Sequence, residues 1–468
     1  MSRTSPSGLG RDAAYALLAV GLEKVVALGI ALYLPRHLPL ADYGRYVFVI
    51  SYLGLFQGLP DVALDAVLVT RLARSEASAG SLAGRGAALR LATSLTGAGV
   101  ALVLLAVTAR DPELLVAGAI AAGGLLATAA NPYRPLLRAR LAMVRYLALV
   151  AGQAAVAVAL FAVIVLVGGG LMAVLSAVTV AAVSGVVLGH ALAGRQGARL
   201  APDPTLGRAL LAEAWPVAGS ALAMAGGQQA LQLLLLRWHG PAEFALLGGA
   251  QKLIEAVSLV PQAVVLSLLP ALAASGAAEP GRAARDAREA ARLLSVLLLP
   301  AAAALAVWAG PVLSVVLGPA FVSASPVLRI LACAVLLNAT GVVLTNLLVA
   351  LGLQRRLFFA SSTAALGAAL LGAVIIPSSG SGGAAAALVA GMLTGQLCLL
   401  ALPVTRAHVR PVLAAVLPAL AIGAVAAGGV AMLGTGPALG AAIFVVAFTA
   451  ALVLTGTVRR ADLARWGA

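Results

Sequence analysis

Long apolar stretches recur along the whole chain, and this recurrence constrains the fold more than any other feature. A helix needs about 20 largely apolar residues to cross a bilayer. Stretches of that length follow one another here with only short Arg-, Gly- or Pro-containing breaks. The 468 residues are 62% hydrophobic and 10% charged, whereas a soluble domain is about 45–50% apolar and about 25% charged. The sequence excludes a soluble enzyme and predicts an all-α polytopic membrane protein.

The apolar windows predict about 14 transmembrane helices. Their approximate ranges are 12–34, 44–70, 91–109, 114–134, 146–168, 171–194, 213–236, 244–272, 293–316, 327–351, 357–377, 384–404, 411–433 and 438–458. Most of the 31 Lys and Arg residues lie at one set of helix ends, and such ends usually face the cytoplasm. We therefore expect both termini to be cytoplasmic. Glu23 and Lys24 interrupt the first apolar run, which is too long for the apolar core of a signal peptide and is expected to be retained.

A weak internal repeat relates the two halves of the chain. Ala41-Asp42-Tyr43-Gly44 is similar to Ala242-Glu243-Phe244-Ala245, and an even number of predicted spans separates the two copies. Both halves then have the same orientation, which indicates a parallel repeat about an axis normal to the membrane. The sequence predicts an N-terminal six-helix lobe (1–200), a C-terminal six-helix lobe (201–410), and two further helices with a basic tail (411–468).

Charged and amide side chains within the predicted spans are few, and they concentrate on spans one, two, seven, eight and ten. A charge at mid-span costs about 2.5–3.5 kcal/mol on insertion scales, so such residues usually face a cavity or a partner. We expect a polar cavity shared by the two lobes. The candidate cavity residues are Lys24, Gln228, Gln229, Gln232, Arg237, Lys252, Asn338 and Asn346. The candidates for binding a coupling ion or balancing charge are Glu23, Asp61, Asp65 and Glu255.

A purely structural role for these charges is the alternative interpretation. Lys252 and Glu255 are spaced to neutralise each other on one helix, and Lys24 could pair with Asp61 or Asp65 across the first two spans. Replacing a buried ion pair with apolar residues is often neutral or stabilising. A purely structural role for every one of these charges is therefore less expected than a functional role for some.

Several other classes of site have no sequence signature. The two cysteines lie in separate apolar runs, the four histidines share no ligand spacing, and no phosphate-binding Gly-Lys-Ser/Thr loop occurs. We expect no cofactor and no metal site. The net charge of +15 follows from membrane topology and does not predict nucleic-acid binding. The basic segment 281–292 is interpreted as either a surface amphipathic helix or an ordinary cytoplasmic loop.

Two segments resemble a known family. In Leu38–Arg74, Tyr43-Gly44 opens the second span, and Asp61 is followed by Arg71. In Gly310–Arg356, Leu328-Arg329-Ile330-Leu331 precedes a closing Leu351-Gly352-Leu353-Gln354-Arg355-Arg356. Both segments are similar to Wzx-like oligosaccharide-lipid flippases of the multidrug/oligosaccharidyl-lipid/polysaccharide exporter (MOP) superfamily. The chain departs from the family pattern at Ala63, where the family often has Gly.

The resemblance implies a transporter of the bacterial inner membrane rather than an enzyme. Its implied substrate is a polyprenyl-diphosphate-linked oligosaccharide, flipped for cell-surface polysaccharide synthesis of the O-antigen or exopolysaccharide type. Lys24, Arg237 and Lys252 would bind the diphosphate, the Gln and Asn residues the sugar hydroxyls, and Arg71 would lie at the cytoplasmic rim. The further expectations are a proton or sodium as coupling ion, membrane lipids as surroundings, and a monomer that acts with polysaccharide assembly proteins.

Three other functions remain as alternatives. A lipid II flippase would use a similar cationic cavity, whereas a cation-coupled multidrug antiporter of the same fold would depend on Asp61 or Asp65. A membrane enzyme, such as a polysaccharide polymerase or a lipid-linked glycosyltransferase, would need a sizeable external loop with catalytic carboxylates, which the sequence does not indicate. Neutralising Lys24 and Lys252 should impair a flippase but spare an antiporter.

Overall fold

The fold is helical throughout the part of the chain that can be described. The computed structural model describes residues 6–56, 79–108, 111–140, 142–193, 200–258, 280–432 and 443, and these residues include no strand. Helical segments in them that are long and apolar enough to cross a membrane are Ser81–Thr108, Pro112–Arg138, Met143–Val167, Leu171–Leu192, Gly281–Val307, Pro319–Ala350 and Gln354–Ala401. The prediction of an all-α, multi-pass membrane protein is confirmed, and the count of fourteen spans stays a prediction.

Thirteen helices are numbered here in chain order within the described residues. They are α1 (Pro6–His37), α2 (40–56), α3 (Ala79–Thr108), α4 (Pro112–Ala129), α5 (Tyr133–Ala139), α6 (Met143–Val167), α7 (Leu171–Ala193), α8 (Pro204–Val257), α9 (Pro280–Val307), α10 (Ala309–Val316), α11 (Ser325–Ala350), α12 (Gln354–Ala401) and α13 (Pro403–Met432). A short 3-10 helix, Pro319–Ala324, precedes α11.

Two of these helices contain a break at a glycine. In α8 the break is Gly240, with φ 79° and ψ −175°, and in α12 it is Gly380, with φ 53° and ψ −132°. Both φ values are positive, which glycine adopts without the strain that a Cβ would cause. The predicted spans 213–236 and 244–272 therefore meet directly at Gly240. The segment 378–383, predicted to be a loop, is helical except at Gly380.

The chain folds into two compact units. Unit 1 consists of Met1–Gln229 with Gly240–Ala245, and unit 2 consists of Ala230–His239 with Leu246–Ala468. In unit 1, α1 packs on α6, α6 on α7, α7 on α4, and α4 on α3. In unit 2, α9 packs on α11 and α13, and α12 packs on the same two helices. The predicted lobe boundaries, 1–200 and 201–410, stay predictions.

Large apolar side chains lie on the outside of the helices and small residues lie between them. Val107 of α3 is 79% exposed, Leu166 of α6 is 85% exposed and Val374 of α12 is 76% exposed. Between α4 and α7, a Cβ added at Gly124 would lie 3.0 Å from the Thr179 hydroxyl oxygen. Close approach through small residues is typical of helices in lipid, where large apolar side chains can face the surrounding hydrocarbon.

The two repeat segments meet within unit 1. A Cβ at Gly44 would lie 1.9 Å from the Pro241 carbonyl oxygen and 3.2 Å from the Ala245 nitrogen. Next to this contact, the buried rings of Phe48 and Phe244 pack edge to face, with centroids 5.5 Å apart. Gly44 and Ala245 hold equivalent positions in the two repeat segments, so the repeat found in the sequence corresponds to a direct contact between its copies.

An arginine at the start of α2 forms ion pairs with three carboxylates in unit 1. Arg45 Nη1 lies 2.8 Å from both Asp42 Oδ1 and Glu113 Oε2, and Arg45 Nε lies 2.8 Å from Asp111 Oδ2. Asp111 also caps α4, accepting a hydrogen bond from the Glu113 backbone nitrogen at 3.1 Å. This cluster, Arg45 with Asp42, Asp111 and Glu113, ties the start of α2 to the start of α4.

The two halves of α12 pack on each other through alanine and glycine. A Cβ at Gly391 would lie 2.6 Å from the Ala368 Cβ and 2.9 Å from the Ala364 carbonyl oxygen. We expect Gly391→Ala to lower the midpoint of thermal unfolding, because overpacking typically costs about 1–3 kcal/mol. Gly382→Ala is the matched control, since nothing lies within 4 Å of its added Cβ. Equal unfolding midpoints for the two variants in detergent would contradict this packing.

Asp203 begins α8 as its N-terminal cap. Its Oδ1 accepts hydrogen bonds from the Thr205 hydroxyl at 2.7 Å and from the Thr205 and Leu206 backbone nitrogens at 3.1 Å. Its Oδ2 accepts from Arg85 Nη1 at 3.1 Å, which links α8 to α3. The hydrogen bond from the Thr205 side chain, then that from the Leu206 backbone, lower the pKa of the Asp203 carboxyl. The ionised form is therefore favoured in the folded protein.

This lowered pKa sets the sign of a pH effect. A carboxyl whose pKa is lower in the folded state stabilises the fold above its unfolded pKa of about 3.9, and this stability is lost as the pH falls through the folded value. We expect Asp203→Ala to lower the unfolding midpoint at neutral pH and to differ little from the parent in strong acid. Asp203→Asn, which keeps a capping oxygen, should lose less. A midpoint difference that does not change with pH would refute this role of the carboxylate.

Candidate functional site

The two adjacent charges of α1 have different surroundings. Glu23 Oε1 lies 2.6 Å from Arg134 Nη2. Lys24 is exposed and forms no hydrogen bond or ion pair with any residue that the structure describes. It lies about 20 Å from the C-terminal end of α1, at 1.5 Å per residue. Among the described residues, Lys24 therefore presents a positive charge without a carboxylate partner, deep in a helix of membrane-spanning length. Such a charge is by default a functional candidate.

Arg134 is a partner of the candidate residue Glu23 that the sequence analysis missed. It is one of the arginines assigned to helix ends, yet it lies within the candidate membrane span Pro112–Arg138. Besides binding Glu23, its Nη2 donates to Gln153 Oε1 at 2.9 Å. The flanking Pro132 and Pro135 were the available indication, because prolines so close together mark a break in a long helix. The break separates α4 from α5, which carries Arg134.

The glutamines of α8 differ in their surroundings. Gln228 is exposed, whereas Gln229 and Gln232 are 8% and 5% exposed. Gln229 Nε2 donates to the Ser51 carbonyl oxygen of α2 at 2.7 Å, within unit 1. The Oε1 atoms of Gln229 and Gln232 are buried and find no donor among the described residues. Each of these oxygens can accept a hydrogen bond from a hydroxyl group.

In unit 2, Lys252 and Glu255 form an ion pair. Lys252 Nζ lies 2.7 Å from Glu255 Oε2, and the side chains are 41% and 63% exposed. The sequence-based alternative that these two charges neutralise each other is therefore realised in this conformation. Exposed pairs contribute about 0–1 kcal/mol, so a stronger anionic ligand can compete for Lys252. Arg237 is also exposed and has no carboxylate partner in the described part of unit 2.

The two asparagines of α11 use their amide nitrogens within unit 2. Asn338 Nδ2 donates to the Ser258 hydroxyl at 3.0 Å, and Asn346 Nδ2 donates to the Val342 carbonyl oxygen at 2.8 Å. Each of these amides keeps its carbonyl oxygen and a second N–H to meet a ligand hydroxyl. Gln396 of α12 is a further amide that the sequence analysis did not select, and it donates to Thr340 Oγ1 at 2.8 Å. The bond of Gln396 joins α12 to α11 as polar contacts between helices in the bilayer do, whereas the bond of Asn346 lies within α11.

The structure thus brings Lys252 to Glu255, as considered from the sequence, and Glu23 to Arg134, which was not foreseen. Asp61, Asp65 and Arg71 lie outside the described residues. The shared cavity between the lobes stays a prediction.

The fold is that of a MOP-superfamily transporter. A structure titled lipid II flippase MurJ, inward closed conformation, matches with a TM-score of 0.70 over 94% of this chain and 98% of that chain, at 9% identity. An inward-facing multidrug resistance MATE family transporter of the MOP superfamily matches with 0.62 over 85% and 98%, at 14% identity. A MOP superfamily transporter from Pyrococcus furiosus matches with 0.56 over 88% and 97%, at 15% identity. At these identities the likeness shows the fold alone.

Residues 9–275 match the family described as polysaccharide biosynthesis protein. This match covers more than half of the sequence, so the chain belongs to that family. No curated protein is significantly similar to it in sequence. The family inferred from the sequence is confirmed, and the matching folds are those of transporters and flippases.

Proposed function

We propose that this protein is a flippase that moves a polyprenyl-diphosphate-linked oligosaccharide across the bacterial inner membrane for cell-surface polysaccharide synthesis. The observation that carries the proposal is the charge balance of the candidate residues. Glu23 and Glu255 are each paired with a basic side chain, whereas Lys24 and Arg237 have no carboxylate partner within the described residues. Among the described candidate residues the unpaired charge is therefore positive, which favours a diphosphate over an organic cation.

The chemistry of the cargo fits these side chains. A diphosphate and its attached sugars are costly to place in hydrocarbon, while the polyprenyl chain can stay in the bilayer. Lys24, Arg237 and Lys252 would bind the diphosphate. The sugar hydroxyls would meet amide groups that keep an acceptor free, namely those of Gln228, Gln229, Gln232, Asn338 and Asn346.

We further propose a membrane orientation and an energy source for transport. Both termini face the cytoplasm, Arg71 attracts the anionic lipid at the cytoplasmic rim, and a proton or sodium ion drives transport. Asp61, Asp65, Glu23 and Glu255 bind that ion or balance the cavity charge. The protein acts as a monomer in concert with polysaccharide assembly proteins.

Two relatives of the fold supply the competing substrates. Lipid II, named for one matching structure, also carries a polyprenyl diphosphate, so unpaired cations suit it equally well. Multidrug export, named for another, requires a site for organic cations. The amide-rich surroundings on α8 and α11 favour a cargo with many sugar hydroxyls.

Translocation in proteoliposomes tests the proposal. The purified protein is reconstituted with a labelled polyprenyl-diphosphate oligosaccharide, with labelled lipid II, or with a fluorescent organic cation under a proton or sodium gradient. We expect the oligosaccharide lipid to be moved faster than lipid II, and no efflux of the cation. Preferred transport of lipid II would reassign the substrate. Cation efflux that requires Asp61, without movement of either lipid, would refute the flippase function.

A further inference from the structure

We propose that Arg134 is a further cationic residue for the diphosphate head group and that Glu23 occupies it until the anion binds. This inference rests on the proposed function, because it names a further residue of the same site. It adds a residue of the short helix α5 to the candidate residues of α1.

The guanidinium of Arg134 is only partly used. Both of its bonds, to Glu23 Oε1 at 2.6 Å and to Gln153 Oε1 at 2.9 Å, come from Nη2. An arginine has five N–H donors, so Nε and Nη1 keep three without an acceptor in the described structure. The Arg134 side chain is 29% exposed and that of Glu23 is 37% exposed. A phosphate oxygen can therefore approach Arg134 while the protein fold holds the guanidinium.

Several polar contacts in unit 1 position Arg134. The Tyr133 hydroxyl lies 2.7 Å from His190 Nδ1, and the Tyr133 backbone nitrogen donates to Asn131 Oδ1 at 3.0 Å. Asn131 Nδ2 donates in turn to the Gly185 carbonyl oxygen at 3.1 Å. These bonds hold the start of α5 against α7. A fixed guanidinium loses less conformational freedom when an anion binds.

Lys24 makes the location suitable for two phosphates. Lys24 follows Glu23 directly in α1, so the Cα atoms of the two residues lie about 3.8 Å apart. Glu23 is the residue that Arg134 contacts. Lys24 thus belongs to the turn of α1 that carries Glu23, and Arg134 reaches this turn from α5; the side chains of Glu23 and Lys24 point in different directions, as consecutive residues of a helix do. A diphosphate has two phosphoryl groups, and charge-assisted hydrogen bonds from two cations match it.

The competing explanation is an ion pair that only joins α1 to α5. In that case Glu23 is a partner that must be kept, and replacing it should weaken the fold without improving the binding of any anion. If Glu23 instead competes with the substrate, replacing it by the neutral Gln should free Arg134 and strengthen anion binding. The two explanations therefore predict opposite consequences for ligand affinity.

Binding of inorganic pyrophosphate to the purified full-length protein, measured by calorimetry in detergent, tests the inference. We expect Glu23→Gln to bind pyrophosphate about fivefold more tightly, the effect of removing one competing partly exposed ion pair. The double variant Glu23→Gln with Arg134→Gln removes both charges, so it should lose the gain in pyrophosphate affinity. Asp42→Asn, which removes a carboxylate from the Arg45 cluster of the same unit, should leave the affinity unchanged.

Three results would exclude an anion site formed by Arg134 in competition with Glu23. They are a folded Glu23→Gln protein with parental affinity, a double variant that binds as tightly as Glu23→Gln, and an equal gain in Asp42→Asn. If polyprenyl diphosphate in micelles competes with pyrophosphate, the ligand is a lipid head group. If it does not compete, the site binds free pyrophosphate, and the role of Arg134 in substrate binding is overturned. Because binding is measured without transport, failed translocation with the expected binding pattern would reject the flippase function and leave Arg134 as an anion site.

Discussion

The Gly44→Ala protein is expected to unfold at a markedly lower temperature than the parent. The added Cβ would lie 1.9 Å from the Pro241 carbonyl oxygen and 2.8 Å from its carbon. These are backbone atoms and cannot rotate away as the end of a side chain can. The start of α2 must therefore move away from residues 241–245. This movement also separates the buried rings of Phe48 and Phe244. Overpacking typically costs about 1–3 kcal/mol, and we expect a value at the upper end.

Gly54→Ala is the matched control for this prediction. It lies on the same helix, and nothing is within 4 Å of its added Cβ. Alanine raises intrinsic helix stability over glycine by about 0.8–1.0 kcal/mol, and this gain applies to both variants. The difference between their unfolding midpoints in detergent therefore isolates the contact with Pro241. If Gly44→Ala is as stable as Gly54→Ala, the close approach described for the two repeat segments is wrong.

Lys24→Ala is expected to abolish most translocation of the lipid-linked oligosaccharide while leaving the protein folded. A hydrogen bond to a charged group contributes about 1.5–3 kcal/mol, which corresponds to a loss of about 10- to 150-fold in head-group binding. Folding should be little affected, because Lys24 is exposed and pairs with no described residue. Lys24→Arg keeps the charge and should retain much of the activity.

The assay for Lys24 is the initial rate of translocation in proteoliposomes at a limiting concentration of the lipid-linked oligosaccharide. Arg145→Gln is the control for loss of a positive charge, because Arg145 is also exposed and lies near the start of α6. We expect this control to transport at close to the parental rate. If Lys24→Ala transports at the parental rate, Lys24 is not part of the site. If Arg145→Gln loses as much transport as Lys24→Ala, the loss follows from the change in overall charge.

The features that the sequence predicts well are those set by composition and by short spacing. Apolar stretches of membrane-spanning length predict the all-α fold, since each span must satisfy its backbone hydrogen bonds internally. The pairing of Lys252 with Glu255 could be considered from the sequence because residues three apart are neighbours on a helix. The break in α12 was placed in the correct region, but the helix is interrupted at Gly380 alone.

Contacts between distant segments could not be predicted in this way. Arg134 stands at the end of an apolar run, where an arginine usually reports membrane topology, and only the packed arrangement of α1, α5 and α6 brings it to Glu23 and Gln153. Gly44 was identified as part of a repeat and of a family pattern. Its physical requirement, the absence of a Cβ next to the Pro241 carbonyl oxygen, depends on residues from the other half of the chain.

The buried amide oxygens of Gln229 and Gln232 set function against stability. A buried acceptor without a donor costs about 1–3 kcal/mol, and neither oxygen has a donor among the described residues. An apolar side chain of similar size would avoid that cost, so selection for stability alone would not keep glutamine at these positions. A donor hydroxyl from water or from a sugar removes the penalty. The stability of the helix contacts around each glutamine therefore depends on whether such a hydroxyl is bound to its amide oxygen.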